Sequence, residues 1–84
     1  MAGVTLTLYT KPDCHLCEEA KARLLRLQGE LSFYIEEVDI SKDPDLLARY
    51  GEEVPVGLLR GEKVFKYRVD ERRLRRLLEK ALSS

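Results

Sequence analysis

The ten residues Leu8-Tyr-Thr-Lys-Pro-Asp-Cys-His-Leu-Cys17 join a predicted strand to a predicted helix and place two cysteines at the junction. Before them, Val4 to Tyr9 alternates in polarity and is rich in strand formers, which predicts the first strand. Pro12 ends this strand because it lacks a backbone N–H donor and fixes φ. From Cys14 to Gly29 the apolar residues take helical spacing, which predicts the first helix. The helical series is Leu16, Ala20, Leu24 and Leu27.

The rest of the chain continues this alternation. The predicted elements are a strand over 33–38, a short helix from the N-cap Asp43 and Pro44 to Gly51, strands over 55–59 and 63–67 joined by a turn, and a last helix capped by Asp70. The apolar sides of the two later helices are expected to be Leu46, Leu47 and Tyr50, and then Leu74, Leu77, Leu78, Ala81 and Leu82. The order β-α-β-α-β-β-α predicts an α/β fold, a four-stranded mixed sheet flanked by helices. We expect it to occupy the whole chain, 1–84, as one domain.

Composition narrows the classes of function. Hydrophobic residues make up 44% of the 84 residues, which is too many for a disordered chain. Fifteen basic and fifteen acidic residues cancel, so no overall field favours nucleic acid or an anionic membrane, and we expect neither as a partner. The apolar run in the first strand is too short for a signal peptide or a membrane span, so we expect a cytoplasmic protein. We also expect a monomer. The sequence has a high proportion of charged residues, more arginine than lysine and no asparagine, a composition that favours a thermophilic source.

The two cysteines carry the chemistry. Cys14 and Cys17 are three residues apart in the first helical turn, a spacing that closes a small disulfide ring. In the cytosol such a pair is more often catalytic or metal-binding than a structural disulfide. Unpaired N–H groups and the helix dipole favour a thiolate at Cys14, so we expect its pKa to lie below that of a free cysteine. Cys17 lies deeper, which suits attack on a mixed disulfide.

A lone CxxC pair is also half of a zinc or iron–sulfur site. One chain offers only His15 as a further strong ligand, so the alternative to redox chemistry is a metal or iron–sulfur carrier that takes Cys14 and Cys17 from two chains. The position of the pair, after a strand and at the start of a helix in a βαβ unit, favours a redox motif.

Residues 8–17, the dipeptide Val54-Pro55 and the order of elements resemble glutaredoxins and glutaredoxin-like redoxins, over nearly the whole chain. The resemblance implies a thioredoxin-like fold and a thiol–disulfide oxidoreductase that reduces protein or small-molecule disulfides without a metal or organic cofactor. It implies that Cys14 is the nucleophile and that Cys17 resolves the mixed disulfide. It also implies a cis Pro55 beside the cysteines and a Val54 backbone that pairs with substrate. The implied reductant is glutathione, as a co-substrate, or a protein similar to thioredoxin reductase.

The chain departs from this family in two places. Many glutaredoxins have proline and tyrosine between the cysteines, where this chain has His15 and Leu16. Members that bind glutathione carry a Gly-Gly-x-x-Asp-like turn before the last helix, where this chain reads Lys66-Tyr-Arg-Val-Asp70. Asp70 matches the acid, but the glycines that allow close approach of the ligand are absent. We therefore expect weak glutathione binding, with Arg68 pairing with a carboxylate of the ligand.

Four further features have both a functional and a structural interpretation. Lys11 is either functional, by lowering the pKa of Cys14 or by receiving a substrate carboxylate, or a solvated loop residue. His15 either tunes the thiolate or is simply exposed, and Asp13 either caps the first helix or faces the sulfur. The arginines of the last helix form a solvated face, with Glu71–Arg75 and Arg75–Glu79 pairs, or dock an acidic partner. The second interpretation includes an interaction domain without enzymatic activity.

Overall fold

In a computed structural model, which describes residues 3–83, strands and helices follow one another as the sequence predicts. The elements are β1 (Thr5–Thr10), α1 (His15–Gln28), β2 (Tyr34–Asp39), a 3-10 turn (Ile40–Lys42), α2 (Pro44–Tyr50), β3 (Val56–Leu59), β4 (Glu62–Lys66) and α3 (Glu71–Leu82). The sheet has the order β2-β1-β3-β4, with β1 parallel to β2 and antiparallel to β3, and with β3 antiparallel to β4. The predicted four-stranded mixed sheet is confirmed, and strand boundaries differ from prediction by one residue.

One face of the sheet carries the main core. Leu6 and Leu8 of β1 are two residues apart, so they point to the same face, and both are fully buried. They belong to one cluster with the buried side chains of α1 (Ala20, Leu24, Leu27) and of α3 (Leu74, Leu78). Burying a leucine contributes about 1.5–3 kcal/mol, so this cluster is the main source of stability.

Tyr9 packs in a second cluster together with the cysteines. Its ring lies 5.1 Å from the ring of Tyr50, which ends α2. The buried members of the cluster are Cys17, Ile40 and Val54, and the partly buried members are Tyr9, Cys14, Val38, Leu46 and Tyr50. The cysteine motif is thus packed against β1, α2 and the segment that precedes β3.

Two helix starts follow the prediction. Asp43 caps α2 by accepting hydrogen bonds from the N–H groups of Asp45 and Leu46, at 3.0 and 3.1 Å. Asp70 caps α3 by accepting one from the Arg73 N–H, at 3.2 Å. Each carboxylate satisfies N–H groups that have no partner inside the helix.

Two predicted burials are wrong. Leu47 and Leu82 are each 38% exposed. α2 has only seven residues, and of its predicted apolar side only Leu46 and Tyr50 pack in the second cluster. Leu82 is the last residue of α3, beyond the two fully enclosed leucines, Leu74 and Leu78.

The ion pairs of α3 also differ from prediction. Arg75 does not pair within its own helix but donates two hydrogen bonds to the Glu30 carboxylate, at 2.9 and 3.0 Å. The hydrogen bond and the charge of Arg75 hold the pKa of Glu30 below its usual value. Glu71 accepts a hydrogen bond from Arg23 at 3.1 Å. These pairs join α1 and the turn after it to α3.

Candidate active site

Cys14 and Cys17 form a disulfide at the start of α1, with their Cα atoms 5.2 Å apart. Cys14 is the N-cap, and its sulfur accepts a hydrogen bond from the Cys17 N–H at 3.1 Å. The sulfur thus takes the place that a capping oxygen usually has. Cys14 is partly exposed, whereas Cys17 is only 4% exposed. This asymmetry agrees with the roles expected for an attacking and a resolving thiol.

Asp13 does not cap α1, because Cys14 occupies the cap position. Asp13 has φ of 58°, a left-handed conformation that aspartate tolerates better than most residues. It forms the turn that carries the chain from β1 into the helix, and its capping role in the sequence analysis is wrong.

The segment before β3 lies against the disulfide. The Val54–Pro55 bond is cis, as the family resemblance implied. Val54 packs in the same cluster as Cys17, and Pro55 is fully buried. Within residues 3–83, no hydrogen bond engages the Val54 N–H or C=O. The pairing of Val54 with substrate stays a prediction.

Tyr67 fixes this segment from the other side. Its N–H donates to the carbonyls on either side of Val54, those of Pro55 at 2.9 Å and Glu53 at 3.2 Å. Tyr67 has φ of 67°, although it is not glycine. No glycine marks this left-handed turn in the sequence, so the residue pattern alone does not reveal it.

A side-chain pair anchors the same segment. Lys63 of β4 donates to the Glu53 carboxylate at 2.6 Å, and this hydrogen bond is the main cause of a lowered pKa at Glu53. The Lys63 ammonium also lies 5.8 Å from the centre of the Tyr50 ring. The hydrogen bonds of the Tyr67 N–H and the Lys63–Glu53 ion pair therefore both fix the backbone next to Val54.

A groove of about 420 Å³ runs along α1 from the disulfide. Lys11 lines it together with both cysteines, so the structure brings this predicted residue to the site. Glu37 of β2 and Lys21 of α1 pair across it at 2.9 Å, and the exposed Leu25 lies further along it. Neither Glu37 nor Leu25 carries a sequence signal beyond its position on a strand or helix.

A smaller depression of about 110 Å³ is lined by Leu16, which lies between the two cysteines in the sequence. The turn before α3 supplies Tyr67, Arg68 and Val69 to it, and α1 supplies Glu19, Ala20 and Arg23. Arg68 and Leu16 of the motif thus line the same depression, and the binding role of Arg68 stays a prediction.

His15 is exposed to solvent, whereas Asp70 caps a helix. The His15 side chain is 87% exposed, and its Nε2 lies 3.9 Å from the Glu19 carboxylate. Within residues 3–83 no hydrogen bond joins His15 to either sulfur. Asp70 is engaged in capping α3, so its carboxylate already has a structural partner. The functional roles predicted for both residues stay predictions.

The part of the chain described, residues 3–83, contains no group of three or more His, Cys, Asp or Glu side chains arranged to hold a metal ion. A metal site shared between two chains stays a prediction.

Within residues 3–83, no helix is both long and apolar enough to cross a membrane.

The profile of the glutaredoxin-like domain (DUF836) matches residues 5–79. The chain belongs to this glutaredoxin-like family. A glutaredoxin-like protein of Dictyostelium discoideum is 33% identical over 78 residues, which cover 86% of this chain and 72% of that protein. The cysteine motif and the cis Val54–Pro55 segment both lie within the matched residues.

Solved structures agree with the family in fold. A protein from Nitrosomonas europaea superposes with a TM-score of 0.83 and is 29% identical, covering 93% of this chain and 94% of its own. A thioredoxin variant from Halobacterium salinarum superposes with a TM-score of 0.67 at 24% identity, covering 92% of this chain and 73% of its own. The glutaredoxin-like chain therefore has the thioredoxin fold, and its CxxC pair indicates a redox function.

Proposed function

We propose that the chain is a thiol–disulfide oxidoreductase that reduces disulfides through Cys14 and Cys17. The observation that carries the proposal is the asymmetry of the pair at the start of α1. The partly exposed Cys14 sulfur accepts an N–H hydrogen bond, and the enclosed Cys17 is bonded to it. An N–H donor and the helix dipole both stabilise a thiolate, the reactive form in disulfide exchange.

The proposed reaction has two exchange steps. In the reduced protein, the Cys14 thiolate attacks one sulfur of the substrate disulfide, forms a mixed disulfide and releases the other sulfur as a thiolate that takes up a proton. The deprotonated Cys17 then attacks Cys14, which breaks the mixed disulfide and releases the second substrate thiol. The substrate gains two electrons and two protons, and the protein is left with the Cys14–Cys17 disulfide.

Three neighbouring residues are proposed to bind the substrate. The free Val54 backbone groups can pair with an extended substrate segment as an added strand does. Lys11 lines the groove with both sulfurs and can pair with a substrate carboxylate there. His15 is exposed beside the nucleophile and can contact the incoming chain.

We further propose that glutathione or a protein similar to thioredoxin reductase returns the two electrons. A cytoplasmic location belongs to the same proposal, because a reduced thiol pool regenerates such a dithiol. We also propose that the protein acts as a monomer.

The proposal is tested by the redox state of the pair and by turnover. Oxidised protein should be two hydrogens lighter than protein treated with dithiothreitol, and reduced protein should convert bis(2-hydroxyethyl) disulfide to its thiol. Coupling the assay to glutathione with its reductase, and separately to thioredoxin reductase, identifies the electron source. Thiols that stay free after mild oxidation would disprove the redox function.

Glutathione is expected to bind weakly in the depression beside Leu16. The second glycine of the family's motif would fall at Tyr67, whose backbone is left-handed but whose side chain lines the depression. Tyr67→Gly should fit this backbone and admit the ligand, so titration with S-methylglutathione should show tighter binding by Tyr67→Gly than by the unsubstituted chain. Arg68→Gln should weaken binding about twofold to fivefold, the usual contribution of an exposed ion pair.

Asp70 provides a control for charge in this experiment. Asp70→Asn keeps an oxygen that caps α3 but removes a negative charge from the helix start. If this charge repels glutathione, Asp70→Asn should bind the ligand more tightly while its melting temperature stays nearly unchanged. A stoichiometric complex of the unsubstituted chain at low micromolar concentration would contradict the expectation of weak binding.

A further inference from the structure

α3 carries a row of exposed basic side chains that the reaction does not use. Arg72, Arg76 and Lys80 are four residues apart, so they are neighbours along one side of the helix. From the helical rise, the row extends about 12 Å along the axis. Like charges at this spacing slightly destabilise a helix, so the row brings no benefit to folding by itself.

These cations are not neutralised within the chain. Among residues 3–83, no ion pair or hydrogen bond engages the side chains of Arg72, Arg76 or Lys80, whereas Arg75 on the same helix is paired with Glu30. Asp70 and Glu79 are nearby exposed acids, and they offset part of this positive charge. The net charge of the whole sequence is zero, so the excess of positive charge is local to this side of α3.

One end of the row lies near Leu16 of the cysteine motif. Arg68 lines the depression that starts at Leu16, between the two cysteines, and it has no ion-pair partner within residues 3–83. Val69 and Asp70 then lead into α3 and its row of cations. A chain that enters the depression near the disulfide can therefore continue along Arg72, Arg76 and Lys80. We call Arg68, Arg72, Arg76 and Lys80 the basic row.

We propose that the basic row docks an acidic segment of the protein substrate whose disulfide reaches Cys14. This inference rests on the proposed function and names its substrate class: protein disulfides near a run of Asp or Glu. Guanidinium groups match carboxylates in shape and charge. An extended segment of about four residues has the length of the row on α3. α3 contains no aromatic side chain, and Tyr67 in the depression is a single ring, whereas a surface that binds single-stranded nucleic acid stacks successive bases on several rings.

The first test measures binding alone. A fluorescein-labelled, cysteine-free peptide with six glutamates is compared by anisotropy with the same peptide carrying glutamines. The glutamate peptide should bind more tightly, and its affinity should fall as sodium chloride is raised. Arg72→Gln/Arg76→Gln should weaken binding of the glutamate peptide about fivefold, because each exposed ion pair that is lost should weaken it about twofold or more.

Arg75→Gln is the control for each of the two changes, because it also removes one positive charge from the same helix, but at a guanidinium already paired with Glu30. It should leave binding of the glutamate peptide nearly unchanged. Equal binding of the two peptides, or an equal loss in Arg75→Gln and in the double variant, would overturn the proposal. Tighter binding of a single-stranded oligonucleotide of equal charge would also overturn it.

The second test separates docking from chemistry. Reduction of a disulfide-containing peptide should show a higher kcat/KM with a glutamate run than with a glutamine run, and Arg72→Gln/Arg76→Gln should remove this preference. Reduction of bis(2-hydroxyethyl) disulfide should be the same in both proteins. If the unsubstituted chain does not reduce this small disulfide, the proposed function fails, and the anisotropy result still decides whether the basic row binds acidic peptides. Retention of the preference in the double variant would contradict docking by the row.

Discussion

Cys14→Ser is expected to abolish disulfide reduction, because a serine hydroxyl cannot replace a thiolate as the attacking group. Loss of a covalent nucleophile costs other enzymes up to about 10⁶-fold in rate, so we expect a fall on the order of 10³-fold or more, to the limit of detection. The fold should survive the change, since a serine oxygen at the N-cap accepts the N–H hydrogen bond that the Cys14 sulfur now accepts. Measurement of the turnover of bis(2-hydroxyethyl) disulfide, with circular dichroism as the control for folding, checks this result.

Cys17→Ser should behave differently, although it removes the other sulfur of the same disulfide. Cys14 can still attack the substrate, but no buried thiol then releases the product. A protein substrate should therefore accumulate as a mixed disulfide with Cys14, visible as a covalent complex that dithiothreitol cleaves. In the reduced protein, iodoacetamide should modify the partly exposed Cys14 before Cys17, which is 4% exposed. Faster modification of Cys17 would reverse the assignment of the two roles.

The elements of the fold could be predicted because their signals are local. Alternation along β1, the caps Asp43 and Asp70, and the helical series of α1 each depend on neighbours within a few residues. The cysteine motif belongs to the same class of signal, since its spacing and its position before a helix are both visible in the chain. The cis bond at Val54–Pro55 has no such local signal, and it was implied only by the family resemblance.

The parts that could not be predicted depend on contacts between elements. Arg75 has acids within its own helix at the right spacing, yet it pairs with Glu30, which the packing of α1 on α3 places within reach. Tyr67 adopts a left-handed φ because its N–H is fixed by two carbonyls of the segment before β3. Non-glycine residues in this conformation are uncommon, and sequence patterns favour glycine there. Such a conformation is set by tertiary structure rather than by the residue.

Gly57→Ala is expected to destabilise the protein strongly. Gly57 of β3 lies opposite Phe65 of β4, and a Cβ added to it would collide with the Phe65 ring. Phe65 is 7% exposed and packs in the main core, so its ring has little room to move. Overpacking of this kind costs about 1–3 kcal/mol. For a chain of 84 residues, whose stability should be roughly 4–13 kcal/mol, this is a large fraction.

Thermal unfolding measures this cost, at about 4–8 °C of melting temperature for each kcal/mol. Gly61→Ala is the matched control, because a Cβ there meets no atom within 4 Å and only its φ of 82° opposes the change. We expect it to cost about 1 kcal/mol. Phe65→Leu should relieve part of the collision, so Gly57→Ala/Phe65→Leu should lose less stability than the sum of the single changes. Strict additivity would show that the Phe65 ring is not the obstacle. Because β3 begins directly after Pro55, Gly57→Ala should also displace Val54 and lower kcat/KM for disulfide reduction, whereas Gly61→Ala should leave kcat/KM unchanged.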